Sequence, residues 1–143
     1  MIGLAQFGNV PASLQNNAAR TISIVNQIFA AFPGRFRFSS GYRTPAQNAA
    51  ANGVANSYHV KAAAADFVPV DGRFPAGEKE RIAALASRHG YEVIKHNAGS
   101  GLHYHIEPGP DGSSGPIGGA QISGISTGVL MLGFLAFFLI LDD

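Results

Sequence analysis

The sequence predicts an α+β domain, a small antiparallel sheet with flanking helices, followed by one membrane-spanning helix at the C-terminus. Three observations carry that expectation. Helical and strand periodicities both occur within residues 1–110, separated by Gly and Pro punctuation and without an internal repeat. Residues 111–121 are mostly Gly, Pro and Ser, a linker composition. Residues 122–141 are mostly apolar and carry no charge, and twenty residues rising about 1.5 Å each span roughly 30 Å, the hydrocarbon thickness of a bilayer.

In chain order, Asn9-Val10-Pro11 marks a helix start, with Asn9 as cap and Pro11 at the first helical position. Leu14, Ala18, Ile22, Val25 and Phe29 then recur every three to four residues and form a core-facing stripe. Phe32-Pro33-Gly34 ends that helix, and the alternation of Phe36 and Phe38 within Arg35–Ser40 reads as a strand. Thr44 caps a short helix that has Pro45 as its first residue and Gly53 as its stop. Asp66–Val70 is a strand closing at the Asp71-Gly72 turn. Glu78–His89 is a helix with Ile82, Leu85 and Ala86 inward and Gly90 as terminator. Tyr91–Lys95 and Leu102–Pro108 are the last two strands, joined by a loop containing Gly99-Ser100-Gly101.

Composition narrows the function classes. At 143 residues the chain accommodates one domain with a real core. A formal net charge of +1 with scattered Lys and Arg creates no field for nucleic acid, so no nucleic-acid partner is expected. The absence of Cys rules out disulfides and thiolate metal sites. Met1 to Val10 lacks a basic region and a long apolar run, so no signal peptide is expected. The C-terminal segment predicts a single-pass protein in contact with a lipid bilayer, and Gly124 and Gly128 form one small-xxx-small pair of the kind that lets membrane helices self-associate.

The candidate chemistry sits in Ser57–Asp66 and Leu102–Glu107. His59 and Asp66 are seven positions apart. On a continuous helix that is about 10 Å along the axis, too far for two ligands each about 2 Å from one ion. Joint metal binding requires the chain to double back, which the small residues Ala62–Ala65 permit. The competing reading is a short alanine helix with His59 on the surface, and spacing alone leaves both open. His103, His105 and Glu107 alternate, so as strand residues they share one face. Three ionisable groups on one face do not meet a dry core unpaired, which leaves a site or a solvated surface.

Ser57-x-His59-x-x-Ala62-x-Ala64-x-Asp66 resembles the Ser-x-His-x-x-Gly-x-Ala-x-Asp signature of the D-alanyl-D-alanine carboxypeptidase-like zinc peptidases. These are cell-wall enzymes that include phage endolysin peptidases and share a hedgehog-type fold. Ser40-Gly41-Tyr42-Arg43-Thr44 resembles the family's Ser-Gly-Tyr-Arg segment. Gly101-Leu102-His103-Tyr104-His105 is similar to its Gly-x-x-His-x-His pattern with one residue less of spacing. The resemblance runs from about Phe36 to Pro110. It implies Zn2+ held by His59, Asp66 and His105, with Arg43 pairing with a substrate carboxylate or carbonyl and Ser57 hydrogen-bonding near the metal and the bound peptide.

Two positions depart from the pattern. Ala62 stands where Gly is usual, a mild change provided the backbone there does not need a positive φ. Leu102 stands where many members carry a catalytic Glu or Asp. The general base is therefore expected at His103, then Glu107, with His96 third; Glu107 also suits orienting a ligand or Arg43. The resemblance thus implies a zinc metallopeptidase acting on peptidoglycan peptides, anchored in the membrane of a virion or of the bacterial envelope. The alternative is a non-catalytic, zinc-stabilised cell-wall-binding or structural virion protein, for which Leu102 argues.

Overall fold

The computed structural model describes residues 1–97 and 101–110. Its centre is a four-stranded sheet of β1 (Phe36–Ser40), β2 (Ala65–Pro69), β3 (Tyr91–Asn97) and β4 (Leu102–Pro108), in the order β1-β2-β4-β3. Every neighbouring pair is antiparallel. Helices α1 (Leu4–Phe7), α2 (Gln15–Ala31), α3 (Pro45–Ala50) and α4 (Glu78–Ala86) complete the domain. The α+β expectation for the first 110 residues therefore holds.

Strand alternation divides the sheet into two chemically different faces. One contributes Phe36, Phe67, Tyr91, Val93, Tyr104 and Ile106 to a core shared with α2 and α4. Its aromatic rings meet edge to face: Phe36 and Phe67 at 5.2 Å, Phe29 and Phe67 at 5.7 Å. The other face carries Ser40, Asp66, His103, His105 and Glu107, with the register Ser40↔Asp66 and Asp66↔His105.

Helix α2 buries Ala18, Thr21, Ile24, Val25 and Ile28, whereas Ile22 and Phe29 of the expected stripe are only partly buried. The stripe is rotated because it includes a hydroxyl that hydropathy counts as polar. Thr21 Oγ1 lies 3.0 Å from the Asn17 carbonyl oxygen, 3.3 Å from that of Ala62 and 3.0 Å from the Tyr91 hydroxyl, so its burial is compensated. The chain ahead of Gln15 forms a 3₁₀ turn over Ala12–Leu14, and α1 was not expected. Thr44 caps α3 through Gln47 N–H at 3.2 Å, as its position requires. The left-handed residue after α3 is Asn52, with φ 56°, not Gly53. Gly53 is needed for space, since a Cβ there would lie 2.2 Å from Asn48 Oδ1. Gly90 ends the α4 segment in the left-handed region, as expected.

The fold class needs one correction. Among the described residues no helix is long and apolar enough to cross a membrane. The longest, α2, has 17 residues, about 26 Å of rise, and is amphipathic, with Asn16, Arg20 and Gln27 outside its buried set. The expected linker at 111–121 and the expected membrane helix at 122–141 lie outside the described residues. The architecture supported is the α+β domain without the transmembrane element.

Candidate metal centre

His59 and Asp66 do meet, because residues 57–64 form successive turns instead of a helix. Ser57 Oγ accepts His59 N–H at 3.3 Å, and the carbonyls of Ser57, Tyr58 and His59 accept the N–H groups of Val60, Lys61, Ala62 and Ala63. The reversal is completed by Ala62, whose φ of 55° is left-handed and whose side chain is fully buried. The position that is usually Gly does require positive φ, so Ala62 is a strained substitution costing about 1–2 kcal/mol. The turn is also tied from outside: Asn17 Nδ2 donates to the Lys61 carbonyl at 3.0 Å, and Thr21 donates to that of Ala62.

At the floor of this reversal, Asp66 gathers the other groups. Its Oδ1 lies 2.7 Å from His105 Nδ1 and 3.6 Å from His103 Nε2. Its Oδ2 lies 3.2 Å from His59 Nε2 and 2.6 Å from Arg43 Nη2. His59, Asp66, His103 and His105 are all buried. Burial by itself would raise the Asp66 carboxyl; hydrogen bonds from His105 and His59, with their charges, outweigh it and hold the group well below the usual carboxylate range. Burial likewise disfavours charge on His105, but Asp66 and Glu107 together raise its pKa above the ordinary value.

Hydrogen-bond partners assign the imidazole nitrogens. A carbonyl oxygen can only accept, so His59 Nδ1–H donates to Gly41 at 2.6 Å, which leaves Nε2 as the nitrogen that faces Asp66. His103 Nδ1–H donates to Gly101 at 2.7 Å, which likewise turns Nε2 inward. His105 lies between two carboxylates, with Nε2 2.9 Å from Glu107 Oε2. With Glu107 taking the Nε2 proton, Nδ1 is the nitrogen available to an ion.

Two imidazoles and a carboxylate are the donor set of a hydrolytic zinc site. Ligands about 2 Å from one ion must lie within about 4 Å of each other, and one ligand atom from each of His59, Asp66 and His105 falls within 4.8 Å of the others. The group therefore fits a metal ion with small side-chain adjustments.

The expected site residues converge to different degrees. Arg43 reaches the site, but its Nη2 is on Asp66 and its Nε donates to Ser40 Oγ at 2.9 Å. Ser57 supports the His59 backbone from a half-buried position. Leu102 is 38% exposed and brings no acid. Two roles were not expected from the sequence, that of Gly41 and the stacking of His96, which was expected only as a third candidate base. Gly41 supplies the carbonyl that orients His59, and the close approach of Phe7 to its Cβ position is a reason for the glycine in Ser-Gly-Tyr-Arg. His96 stacks on His105, with ring centroids 5.3 Å apart and planes 16° apart. The β3–β4 register sets position 96 opposite His103.

A buried group of two imidazoles and a carboxylate that could hold one ion, set on an α+β sheet, is the donor set that zinc hydrolases use. The sequence model of the family Peptidase M15 matches residues 5–106, and the chain belongs to this family of zinc-dependent peptidases. The match starts at residue 5, well before the motifs that begin near Phe36. No curated relative matches the chain.

Proposed function

We propose that this protein is a zinc-dependent peptidase that hydrolyses peptide bonds of bacterial peptidoglycan, acting at the cell envelope or from a virion that meets it. The observation that carries this reading is the buried convergence of His59, Asp66 and His105 with a fourth inward-facing nitrogen, His103 Nε2, beside them. Residues 1–110 form the peptidase domain. His59 Nε2, an Asp66 oxygen and His105 Nδ1 are the metal ligands. A zinc ion held there supplies Lewis acidity toward a water molecule and the scissile carbonyl.

His103 Nε2 handles the proton, taking it from the attacking water and passing it to the leaving amine. Its tautomer suits the task, since Nδ1–H is fixed on the Gly101 carbonyl. Glu107 accepts from His105 Nε2–H and so acts through a ligand, as a positioning group. Arg43 holds Asp66 through Nη2 and presents Nη1, which has no hydrogen-bond partner among the described residues, to a substrate carboxylate or carbonyl. Ser57 braces the turn that sets His59.

The exposed Leu102, at the place of the usual catalytic acid, favours a second reading: a zinc-stabilised module that binds cell wall without cutting it. Zinc content of the full chain and release of peptides from peptidoglycan, with and without chelator and alongside His105→Ala, separate the two. Cleavage that chelator and His105→Ala abolish supports the peptidase. Zinc without cleavage supports the binding module, and absence of zinc sinks both.

A further inference from the structure

His96 belongs to edge strand β3 and lies directly opposite His103 in the β3–β4 register, on the face that carries the candidate centre. Its ring is exposed to solvent on one side. On the other it lies nearly parallel to His105, at 5.3 Å and 16°, and edge-on to His103, at 5.8 Å and 87°. His105 is thereby enclosed between His59, whose ring centroid is 5.1 Å away, and His96. A ring that offers its face to one neighbour and meets the other perpendicularly contacts both through its π system, in offset-stacked and T-shaped arrangements that aromatic pairs favour.

We propose that His96 is a positioning residue that fixes the ring planes of His105 and His103 by stacking. The proposal rests on the reading of those two residues as metal ligand and proton carrier. Hydrogen bonds already restrain each ring at its nitrogens, Nδ1 of His103 to Gly101 and both nitrogens of His105 to carboxylates. What they leave free is rocking about those bonds toward solvent, on the side that neither β2 nor the 57–64 turns cover. His96 occupies that side. An apolar ring of similar size should therefore replace it, whereas a small side chain should not.

The test uses the full chain with His96→Ala and His96→Phe. In the metal-free chain, the His105 ring protons lie in the ring current of His96, so NMR reads the stacking without zinc. His96→Ala is expected to move the His105 and His103 ring-proton signals and broaden them; His96→Phe keeps them shielded and sharp. Zinc affinity by chelator competition should fall about tenfold in His96→Ala, as for groups that orient ligands, and recover to within about threefold in His96→Phe. On peptidoglycan, His96→Ala should lower kcat more than it raises KM, with the melting temperature of the metal-free chain unchanged. Unshifted His105 and His103 signals in His96→Ala, or His96→Phe behaving like His96→Ala, overturn the proposal. A wild-type chain that shows the ring shifts but binds no zinc refutes the metal reading instead, and the NMR comparison still decides the stacking.

Discussion

Gly41→Ala tests how tightly the first ligand is held. A Cβ on Gly41 would lie 2.5 Å from the Phe7 carbonyl oxygen and 2.6 Å from Phe7 Cδ2. Ordinary contact starts near 3.4 Å, so something must move by close to 1 Å. Phe7 cannot yield easily: its side chain is 1% exposed, and its carbonyl accepts Tyr42 N–H at 2.8 Å. The backbone of Gly41 moves instead, taking with it the carbonyl that accepts His59 Nδ1–H at 2.6 Å. Overpacking of this kind costs about 1–3 kcal/mol of stability. Misplacing a group that orients a metal ligand costs about 10–100-fold in affinity, of which each factor of ten is about 1.4 kcal/mol. Chelator competition measures the affinity and thermal denaturation of the metal-free chain measures the stability. Gly34→Ala is the control, since φ there is 70° but nothing lies within 4 Å of its Cβ; it should lose about 1 kcal/mol of stability and no zinc affinity. If Gly41→Ala keeps both its melting temperature and its zinc affinity within twofold, the coupling from Phe7 through Gly41 to His59 is refuted.

Ala62→Val should destabilise the domain by more than about 2 kcal/mol, because a β-branched residue is forced into φ 55° with no free volume around it; an unchanged denaturation midpoint would contradict the left-handed geometry. Glu107→Gln keeps an acceptor for His105 Nε2–H and should retain most zinc affinity and activity, whereas Glu107→Ala should weaken zinc about tenfold; equal effects would make Glu107 a proton carrier. His103→Ala should keep zinc and lose about 100-fold or more in turnover, and full activity would remove His103 from the mechanism. For pH, the raised pKa of His105 gives stability that is fully present below its ordinary value of 6.5 and is lost as pH rises through the folded value. The depressed Asp66 gives stability present above 3.8 and lost as pH falls through its folded value. The metal-free chain should thus lose stability as pH rises above about 6.5 while zinc, which displaces the Nδ1 proton, binds more tightly; a melting temperature flat across that range in wild type, or the same dependence in His105→Ala, counts against the pair.

Legibility followed the physics of each element. Strands β1 and β4 could be read because period-two alternation is local, and the same alternation places His103, His105 and Glu107 on one face. Thr44 and Gly90 could be read because capping depends on one residue's side chain or φ. The buried face of α2 was misjudged because Thr21 is polar by composition and core by its three partners. Helix α1, with four residues, is too short to show a period. The strain at Ala62 stayed open because a dihedral angle cannot be read from a residue type that rarely adopts it. The roles of Gly41 and His96 depend on which atoms approach across the fold, which no local pattern contains.

These contacts also change what counts as the site. The ligand-bearing turn is held at one end by the Gly41 carbonyl, which Phe7 of α1 fixes through Tyr42, and along its length by Asn17 and Thr21 of α2. A strained residue such as Ala62 persists only where its surroundings over-determine it, and here α2 supplies two of those constraints directly on the Lys61 and Ala62 carbonyls. The first thirty residues contain no candidate ligand, yet they set the geometry in which His59 and Asp66 can share an ion. This gives a physical reason for the family match to begin at residue 5 and not at the first motif near Phe36: the N-terminal helices are the outer support of the candidate metal centre.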